Sequence, residues 1–243
     1  MRTKFLMMAA ALALAGCRTM NTETRLQPVV IDRTDEVTAY YPQFTSIDLV
    51  CETMPPKSDR HVIFCAEAAF THALLDHFEH TNIDGDHVSG GKRWTGAKCK
   101  DNSGAFIYYN KVESGKSIWR FVRGDYNDAL DEAAANGGMG FGQALIVYNG
   151  ERITPLWRKG NNYYRALCER NGRLCIVDSR TSVDYDEFVN QLMRYGVTHA
   201  LYLDMGSGWN HSWWRDAQGT AHDIHPWIEK CRFCTNWIAF VLE

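Results

Sequence analysis

Short stretches of hydrophobic residues, many of them aromatic or β-branched, recur along the chain and predict β-strands. These stretches are His61–Phe70 and residues 104–112, 117–123, 198–206 and 235–243. The Asn-Gly pairs in NGE at 149–151 and NGR at 171–173 are typical of two-residue hairpin turns, and they bracket a further stretch of strands. Because such turns join neighbouring antiparallel strands, the sheet is expected to be largely antiparallel.

Three segments carry helix patterns. Residues 125–135 place acidic residues first and good helix formers last. Residues 184–196 have apolar side chains at the spacing of one helix face and end in Gly196, a common stop. The strand that begins at His61 is expected to run into a third helix over residues 71–80. The predicted class is α+β, a single domain in which a largely antiparallel, curved sheet or sheets pack on two or three helices.

The first seventeen residues, MRTKFLMMAAALALAGC, are typical of an export signal, with a basic start, a short apolar run and small residues before a cysteine. The run is shorter than the roughly 20 residues that a membrane-spanning helix needs. Leu14–Cys17 resembles the bacterial lipobox, so Cys17 is expected to be lipidated and to anchor the protein to a membrane of the bacterial cell envelope. The residue after the cysteine is Arg18 rather than Asp, which favours sorting to the outer membrane. An ordinary cleaved signal that contains a cysteine is the alternative.

Residues 18–45 are expected to form a polar tether that leads into a folded domain over 46–243. With 243 residues, 45% of them hydrophobic and 12% aromatic, the chain can bury one sizeable core. The formal net charge is −3, and Lys and Arg are scattered rather than clustered, so the basic surface that nucleic-acid binding needs is missing. Nucleic acid is therefore not an expected partner.

Seven cysteines follow the lipobox, and in an exported protein this odd number leaves at least one free or paired between chains. Cys168 and Cys175 would face each other across the turn at Asn171-Gly172. Either a cross-strand disulfide or two free thiols is possible there. The two residues would stand at a hydrogen-bonded pair position, where the geometry is less favourable for a disulfide. The CRFC segment at 231–234 fits a short-loop disulfide or half of a zinc site. No second pair stands at metal spacing, so no metal is predicted.

Other groups of polar residues are less specific. Asn82, Asp84 and Asp86 have the spacing of the first calcium ligands of an EF-hand. His87 and Arg93 replace the required glycine and the bidentate glutamate, which excludes an EF-hand but leaves an irregular cation site open.

The apolar run VIFCAEAAF contains Cys65, which is expected to be a buried thiol, and Glu67. Burial would raise the pKa of Glu67, whereas an alternating strand would leave it in solvent. HDIHPW at 222–227 contains two histidines and an aspartate, but no partnered Ser or Cys nucleophile is apparent.

Residues 133–142, AAANGGMGFG, close a predicted helix with four glycines in six positions. No Gly-Lys-Ser/Thr follows, which excludes a Walker loop. The run comes after a helix rather than a strand, which excludes a dinucleotide loop. A helix cap explains one or two of the glycines. The others, together with Asn136, are expected to let a ligand approach bare backbone.

Four short motifs, in one order, resemble those of the phosphodiester glycosidase family, formerly a domain of unknown function. The family has an Asn-Gly-Gly turn, an Asp-Gly-Arg strand end, a helix ending in Leu-Gly-Ala and a Leu-Asp-Gly-Gly-Gly-Ser loop. The corresponding residues here are Asn136-Gly137-Gly138, Asp178-Ser179-Arg180, Tyr195-Gly196-Val197 and Leu203–Gly208. The resemblance covers about residues 130–243. It departs from the family at Met205 and Gly208, which replace the second loop glycine and the serine.

The resemblance implies a phosphodiester glycosidase-like domain over 46–243 that hydrolyses a sugar-1-phosphodiester in a glycan, with no cofactor specified. Asp204 would act as base or nucleophile at the anomeric carbon, and Arg180 would hold the phosphate with its guanidinium. Asn136 and the glycine N–H groups beside it would orient sugar or phosphate oxygens. The implied catalytic residues are Asp204, Arg180 and Asn136, and the implied substrate-binding residues are Gly137, Gly138, Gly206 and Asp178.

Two other classes stay open. A non-catalytic glycan-binding surface lipoprotein is favoured by the eight tryptophans, several of them in GWNHSWWRD at 208–216, whose rings could stack on sugars. Core packing is the commoner role of such residues. A purely structural envelope protein is the other class, and in it the odd cysteine could link two chains.

Overall fold

The computed structural model describes residues 27–110, 118–153, 160–205, 211–228 and 231–243. Seventeen strands lie in these ranges: β1 (Val29–Arg33), β2 (Val37–Pro42), β3 (Ser46–Cys51), β4 (Val62–Glu67), β5 (His87–Ser89), β6 (Lys92–Trp94), β7 (Gly104–Tyr108), β8 (Trp119–Arg123), β9 (Met139–Gln143), β10 (Leu145–Tyr148), β11 (Glu151–Arg152), β12 (Arg165–Arg170), β13 (Arg173–Ser179), β14 (His199–Leu203), β15 (Trp213–Arg215), β16 (Ala221–Asp223) and β17 (Asn236–Val241). The helices are α1 (Asn127–Ala135) and α2 (Tyr185–Tyr195), and a 3₁₀ turn spans His80–Asn82. Neither of these helices has the length and apolar character needed to cross a membrane.

The strands form three sheets. The large sheet has the order β1-β2-β13-β12-β14-β10-β11, the β4 sheet the order β16-β15-β4-β17-β3, and the β9 sheet the order β6-β5-β9-β7-β8. Neighbouring strands in all three run antiparallel. The predicted α+β class is thus confirmed as antiparallel sheets with two helices in the described part of the chain. The predicted curvature of the sheets stays a prediction.

One apolar core joins the three sheets. Ile176 and Leu201 contribute to it from the large sheet, Phe64 and Phe240 from the β4 sheet, and Phe106 from the β9 sheet. The rings of Phe64 and Phe240 meet edge to face at 5.9 Å between centroids. Strand β4 is paired on both edges, with β15 and β17, and all six of its residues are buried. Its polar end, Glu67, is therefore buried with the rest.

Helix α2 covers the outer face of the large sheet. Phe188 and Leu192 on its apolar face are buried in a second cluster of core residues. This cluster includes Tyr164, just before β12, and Tyr202 of β14. Asp184 begins the helix, because its side chain accepts a hydrogen bond from the Glu187 N–H at 2.7 Å. Gly196, with φ of +84°, ends it as predicted.

The glycine-rich segment 137–142 is mostly strand β9 rather than a loop. Its first glycine, Gly137, has φ of +63° and turns the chain out of α1. The following glycines are buried and make room for neighbours. A Cβ on Gly138 would overlap the backbone oxygen of Tyr108, and a Cβ on Gly140 would lie 2.9 Å from Leu130 of α1. The glycines therefore let α1 and β7 pack closely against β9.

Two sequence predictions are wrong. The helix expected over 71–80 is absent, because Thr71 and Ile83 pair as an isolated bridge and draw the segment into a loop. The tether expected over 18–45 is wrong for residues 29–42, which form β1 and β2 of the large sheet. Val37 and Ala39 are buried there against the α2 side of the sheet, so this segment belongs to the folded body.

The hairpin predicted at NGR is confirmed, and its register places Cys168 opposite Cys175. Both side chains are free thiols in the structure. Burial raises the pKa of Cys175 to about 12, so this thiol stays protonated at neutral pH. Cys65 is a fully buried thiol, as predicted.

Gly138→Ala is expected to lower the free energy of unfolding by about 3 kcal/mol, because the added methyl must displace the backbone of β7. Urea unfolding followed by circular dichroism measures the loss. Gly137→Ala is the matched control: no atom lies within 4 Å of its Cβ position, so only its left-handed backbone opposes the change, at about 1 to 2 kcal/mol. Equal losses in the two variants would contradict the packing explanation.

Candidate functional site

A cleft of about 290 Å³ opens where the ends of β1, β2 and β13 meet the segment that follows β16. Its wall combines basic, acidic and aromatic side chains. The lining residues are Arg33, Thr38, Tyr40, Asp178, Ser179, Arg180, Trp214, Asp223, Ile224, His225, Pro226 and Trp227. Asp178 and Arg180, two residues of the motif that resembles a family strand end, therefore share one cavity.

A buried ion pair lies at the base of the cleft. Arg165 and Asp178 are opposite partners on β12 and β13, with side chains 0% and 1% exposed. The guanidinium donates two hydrogen bonds, Nε to Oδ1 at 2.7 Å and Nη2 to Oδ2 at 2.6 Å. Burial alone would raise the pKa of Asp178, but the charge and hydrogen bonds of Arg165 together with the contact from His225 outweigh it, and the pKa lies below its usual value. Asp178 is therefore a carboxylate held in place by a planar two-point contact.

His225 bonds to the same carboxylate. Its Nε2 lies 3.0 Å from Oδ2 of Asp178, and because a carboxylate only accepts, Nε2 carries the hydrogen. The backbone of His225 has φ of +49°, a left-handed conformation that costs free energy in a residue other than glycine. The ring lies between Tyr163 and Trp227, at 5.1 and 5.2 Å between centroids. The strained turn thus directs the imidazole onto Asp178.

The charges of the cleft do not balance locally. The two carboxylates among its described lining residues are both paired, Asp178 with Arg165 and Asp223 with Lys57 at 2.7 Å. Arg33 and Arg180 form no ion pair with a carboxylate in the part of the chain that the structure describes. The guanidinium of Arg180 donates to the backbone oxygen of Thr34, at 2.6 Å. Two guanidinium groups are therefore available for an anion, and the cleft favours an anionic ligand.

A pair of buried carboxyl groups lies where the ends of β4 and β14 meet. The backbone N–H of Asp204 donates to the oxygen of Ala68 at 3.1 Å, which brings Asp204 close to Glu67. Burial raises the pKa of Glu67 well above its usual range, and the negative charge of Asp204 raises it further. Burial therefore favours the protonated form of Glu67. Neither of its oxygens makes a hydrogen bond of normal geometry with a residue that the structure describes.

Arg165 connects these carboxyl groups to the cleft. Its guanidinium is bonded to Asp178, and its charge lowers the pKa of Glu67 against the effect of burial. Arg165 is also the register partner of Leu203, the residue before Asp204. Asp204 itself is 5% exposed and is not among the residues that line the cleft.

The Asn-Gly-Gly motif lies elsewhere, at the end of α1 beside the β9 sheet. The side-chain amide of Asn136 donates to the oxygen of Glu132 at 2.8 Å and caps the helix. The N–H groups of Gly137 and Gly138 donate to Ala134 and Ala133, at 3.1 and 2.8 Å. The structure thus gives these donors a partner other than the predicted ligand, and their role in binding stays a prediction. Gly206 and Cys17 lie outside the described residues.

Among the residues that the structure describes, two groups of side chains have the composition and spacing to hold a metal ion. The first is Glu67, His211 and Cys234, and the second is Cys51, His80 and His87. In each group the potential ligand atoms lie within 4.8 Å of one another. The irregular cation site at Asn82, Asp84 and Asp86 is not supported. Arg93 forms an ion pair with Asp86 at 2.9 Å, and His72 bonds to Asp84.

Sequence reasoning missed three residues of the site. Arg165 was detectable, because counting outward from the NGR turn places it opposite Asp178 in an otherwise apolar pair of strands. His225 lies in the HDIHPW segment, and its position against β13 depends on tertiary packing. Arg33 lies in the segment predicted to be a tether.

The fold is similar to that of the catalytic domain of zebrafish N-acetylglucosamine-1-phosphodiester α-N-acetylglucosaminidase, solved in a form auto-inhibited by its pro-peptide. The TM-score is 0.55 at 12% sequence identity, and the match covers 88% of this chain and 82% of that chain. The likeness is one of fold. No protein-family model matches the chain, and no curated protein matches its sequence. The resemblance inferred from the four motifs is thus supported at the level of the fold.

Asp178→Asn is expected to lower the free energy of unfolding by about 3 to 5 kcal/mol, because it leaves the cation of Arg165 buried without a charge partner. Urea unfolding at neutral pH measures the loss. Arg120→Met, which breaks the half-exposed pair with Glu132, is the control and is expected to cost much less. A loss from Asp178→Asn no larger than that of the control would contradict the structural role of the buried pair.

Glu67→Gln is expected to flatten the dependence of stability on pH. The folded state keeps Glu67 protonated, whereas the unfolded state releases that proton above about pH 4.3. The pKa is raised on folding, so its stabilising contribution is full below that pH and is lost as the pH rises towards the folded pKa. Between about pH 5 and pH 8 the wild type should lose about 1 to 3 kcal/mol more stability than Glu67→Gln.

Urea unfolding of both proteins across this pH range tests the prediction, with Glu151→Gln, which alters an exposed carboxyl on β11, as the control. Parallel stability curves for the wild type and Glu67→Gln would show that Glu67 is ionised in the folded protein.

Proposed function

We propose that this protein hydrolyses the bond between the anomeric carbon of a sugar and the phosphate in a sugar-1-phosphodiester of a glycan. The observation that carries the proposal is the charge arrangement of the cleft. Arg33 and Arg180 are free of carboxylate partners among the described residues, while both cleft carboxylates are neutralised by other cations. The fold likeness to a phosphodiester glycosidase supports the same reaction class.

Phosphate and sugar would occupy neighbouring parts of the cleft. A phosphodiester carries one negative charge, which the planar guanidinium of Arg180 can hold through two hydrogen bonds while Arg33 adds positive charge. Trp227 is 68% exposed at the same cleft, and Trp214 also lines it. Exposed indole rings present a flat apolar face on which a sugar ring can stack. The cleft therefore matches a ligand with an anionic end and a sugar end.

The chemistry would fall to the buried carboxyl groups at the ends of β4 and β14. Asp204 attacks the anomeric carbon, and water then releases the sugar from Asp204, or Asp204 removes a proton from the water that attacks that carbon directly. In both cases the bond from the anomeric carbon to the phosphate oxygen breaks. Glu67, held protonated by burial, can donate its proton to the departing oxygen. A phosphomonoester is a good leaving group, so this proton transfer contributes less than in ordinary glycoside hydrolysis. Substrate must then reach Asp204 from the cleft, past Arg165.

A second function is favoured by one specific observation. The carboxylates that line the cleft are each tied to a cation, and Asp204 lies outside the lining. This arrangement suits the binding of an anionic glycan without its hydrolysis. The two functions share a ligand class and differ in turnover.

The place of the protein in the cell is part of the same proposal. The lipobox at Leu14–Cys17 supports a lipid anchor on Cys17 in a bacterial cell envelope, with Arg18 favouring the outer membrane. Such an anchor would hold the cleft beside envelope glycans. Labelling with a radioactive fatty acid, lost in Cys17→Ser, is the direct test of the anchor.

The reaction is tested with the full-length chain in detergent and a panel of sugar-1-phosphodiesters, by following release of the free sugar. Turnover is expected for the wild type, and Asp204→Asn should lower kcat by about 10² to 10⁴-fold, because the amide can neither attack nor accept a proton. Asp128→Asn, on the exposed face of α1, is the matched control and should leave turnover unchanged. Undiminished turnover by a folded Asp204→Asn protein would refute the role of Asp204.

Calorimetric titration with the same compounds separates the two functions. Binding that depends on Arg180, measured with Arg180→Gln, but with no turnover across the panel would establish the glycan-binding function. Neither binding nor turnover would leave a structural role in the envelope.

A further inference from the structure

A second cluster of polar side chains lies away from the cleft, between the β4 sheet and the β9 sheet. Cys51 ends β3, His87 begins β5, and His80 opens the 3₁₀ turn. The Cys51 sulfur and one ring nitrogen from each histidine lie within 4.8 Å of one another. Ser89 of β5 donates to the oxygen of Leu49 of β3 at 2.6 Å and holds the two strands together there. The cluster therefore sits on a fixed junction of two sheets.

The two histidines are arranged as a pair of metal ligands would be. His87 is 0% exposed, and its Nδ1 lies 3.2 Å from the carbonyl oxygen of Gly85. A carbonyl only accepts, so Nδ1 carries the hydrogen and Nε2 presents a lone pair, which points at Nδ1 of His80, 2.9 Å away. Metal-binding histidines commonly donate their other ring N–H to a backbone carbonyl in this way, which fixes the tautomer and the orientation of the ring.

His80 is also held in position. Its ring stacks on Trp94 with 3.6 Å between centroids and 13° between planes. Cys51 and His80 are only half-buried, so an ion can reach the cluster from solvent.

We propose that Cys51 Sγ, His80 Nδ1 and His87 Nε2 bind a zinc ion. One thiolate and two imidazoles form a ligand set that zinc prefers, and three protein ligands leave a fourth tetrahedral position for water. On binding, the Cys51 thiol releases its proton to solvent as the sulfur–zinc bond forms. The hydrogen on His80 moves from Nδ1 to Nε2, and the hydrogen bond between the two histidines is replaced by two nitrogen–zinc bonds. One proton is released for each zinc ion bound.

Bound zinc would link β3 to β5 and so tie the β4 sheet to the β9 sheet. Because the ligands come together only in the folded protein, zinc should also raise the melting temperature. Neither property depends on the reaction at the cleft, so this proposal and the proposed function can fail separately.

The test uses the full-length chain in detergent, stripped with a chelator and titrated with zinc chloride by calorimetry. Cobalt(II) chloride is the spectroscopic probe, since a thiolate-to-cobalt charge-transfer band reports a cysteine ligand. Cys51→Ser is expected to abolish the band and to weaken zinc binding at least about tenfold. Cys99→Ser is the matched control, because Cys99 is also half-buried and burial likewise raises its pKa to about 11, as it does for Cys51. The control should keep both the band and the affinity.

His80→Gln is the second variant, and it decides the question if Cys51→Ser does not fold. This variant should fold, because His80 is partly exposed. It should weaken zinc binding at least about tenfold, and its cobalt band should be weak or absent. Two outcomes would overturn the proposal. One is no zinc binding by the wild type. The other is zinc binding that survives both variants and is lost in Cys234→Ser, which would place the ion at Glu67, His211 and Cys234.

Discussion

The ion pair between Arg165 and Asp178 is the interaction on which the rest of the site depends. Two charges buried between a pair of central strands are costly to remove from water, and only a close bidentate contact compensates for that cost. The pair neutralises the one carboxylate at the base of the cleft and gives His225 a fixed acceptor. It also brings a positive charge towards Glu67. Without the ion pair, the cleft would carry a different net charge. The left-handed turn at His225 would also lose the carboxylate to which its imidazole bonds.

The candidate site shows that two buried carboxyl groups can differ in pKa according to the charges beside them. Asp178 and Glu67 are both buried carboxyl groups, yet their pKa values move in opposite directions, because one faces a guanidinium and the other faces a second carboxyl group. Proteins that carry out acid and base chemistry at neutral pH need such a division. Neighbouring charges also decide the role of Arg33 and Arg180 at the cleft. They can hold an anion because the carboxylates beside them are already neutralised by other cations.

The glycine-rich segment after α1 shows how a sequence pattern can carry two explanations. Clustered glycines suit both a backbone that meets a ligand and a strand that neighbours approach closely. Gly138 and Gly140 have the second role, since added methyl groups would meet Tyr108 and Leu130. The cap formed by Asn136 uses the amide that the first explanation reserved for a substrate. Composition alone does not distinguish the two, because both need the same missing Cβ.

The sequence by itself determined the elements whose signals are local: helix α2 with its Gly196 stop, the NGR hairpin, and the antiparallel character of the sheets. The helix and the hairpin depend on contacts between residues near in the chain, and turn residues favour antiparallel neighbours even though pairs such as β17 with β3 join distant segments. Only the tertiary structure decided that residues 29–42 join the large sheet, that His225 reaches Asp178, and that Glu67 is buried beside Asp204. Each joins segments far apart in the chain, and the burial that sets their pKa values exists only once the sheets have packed.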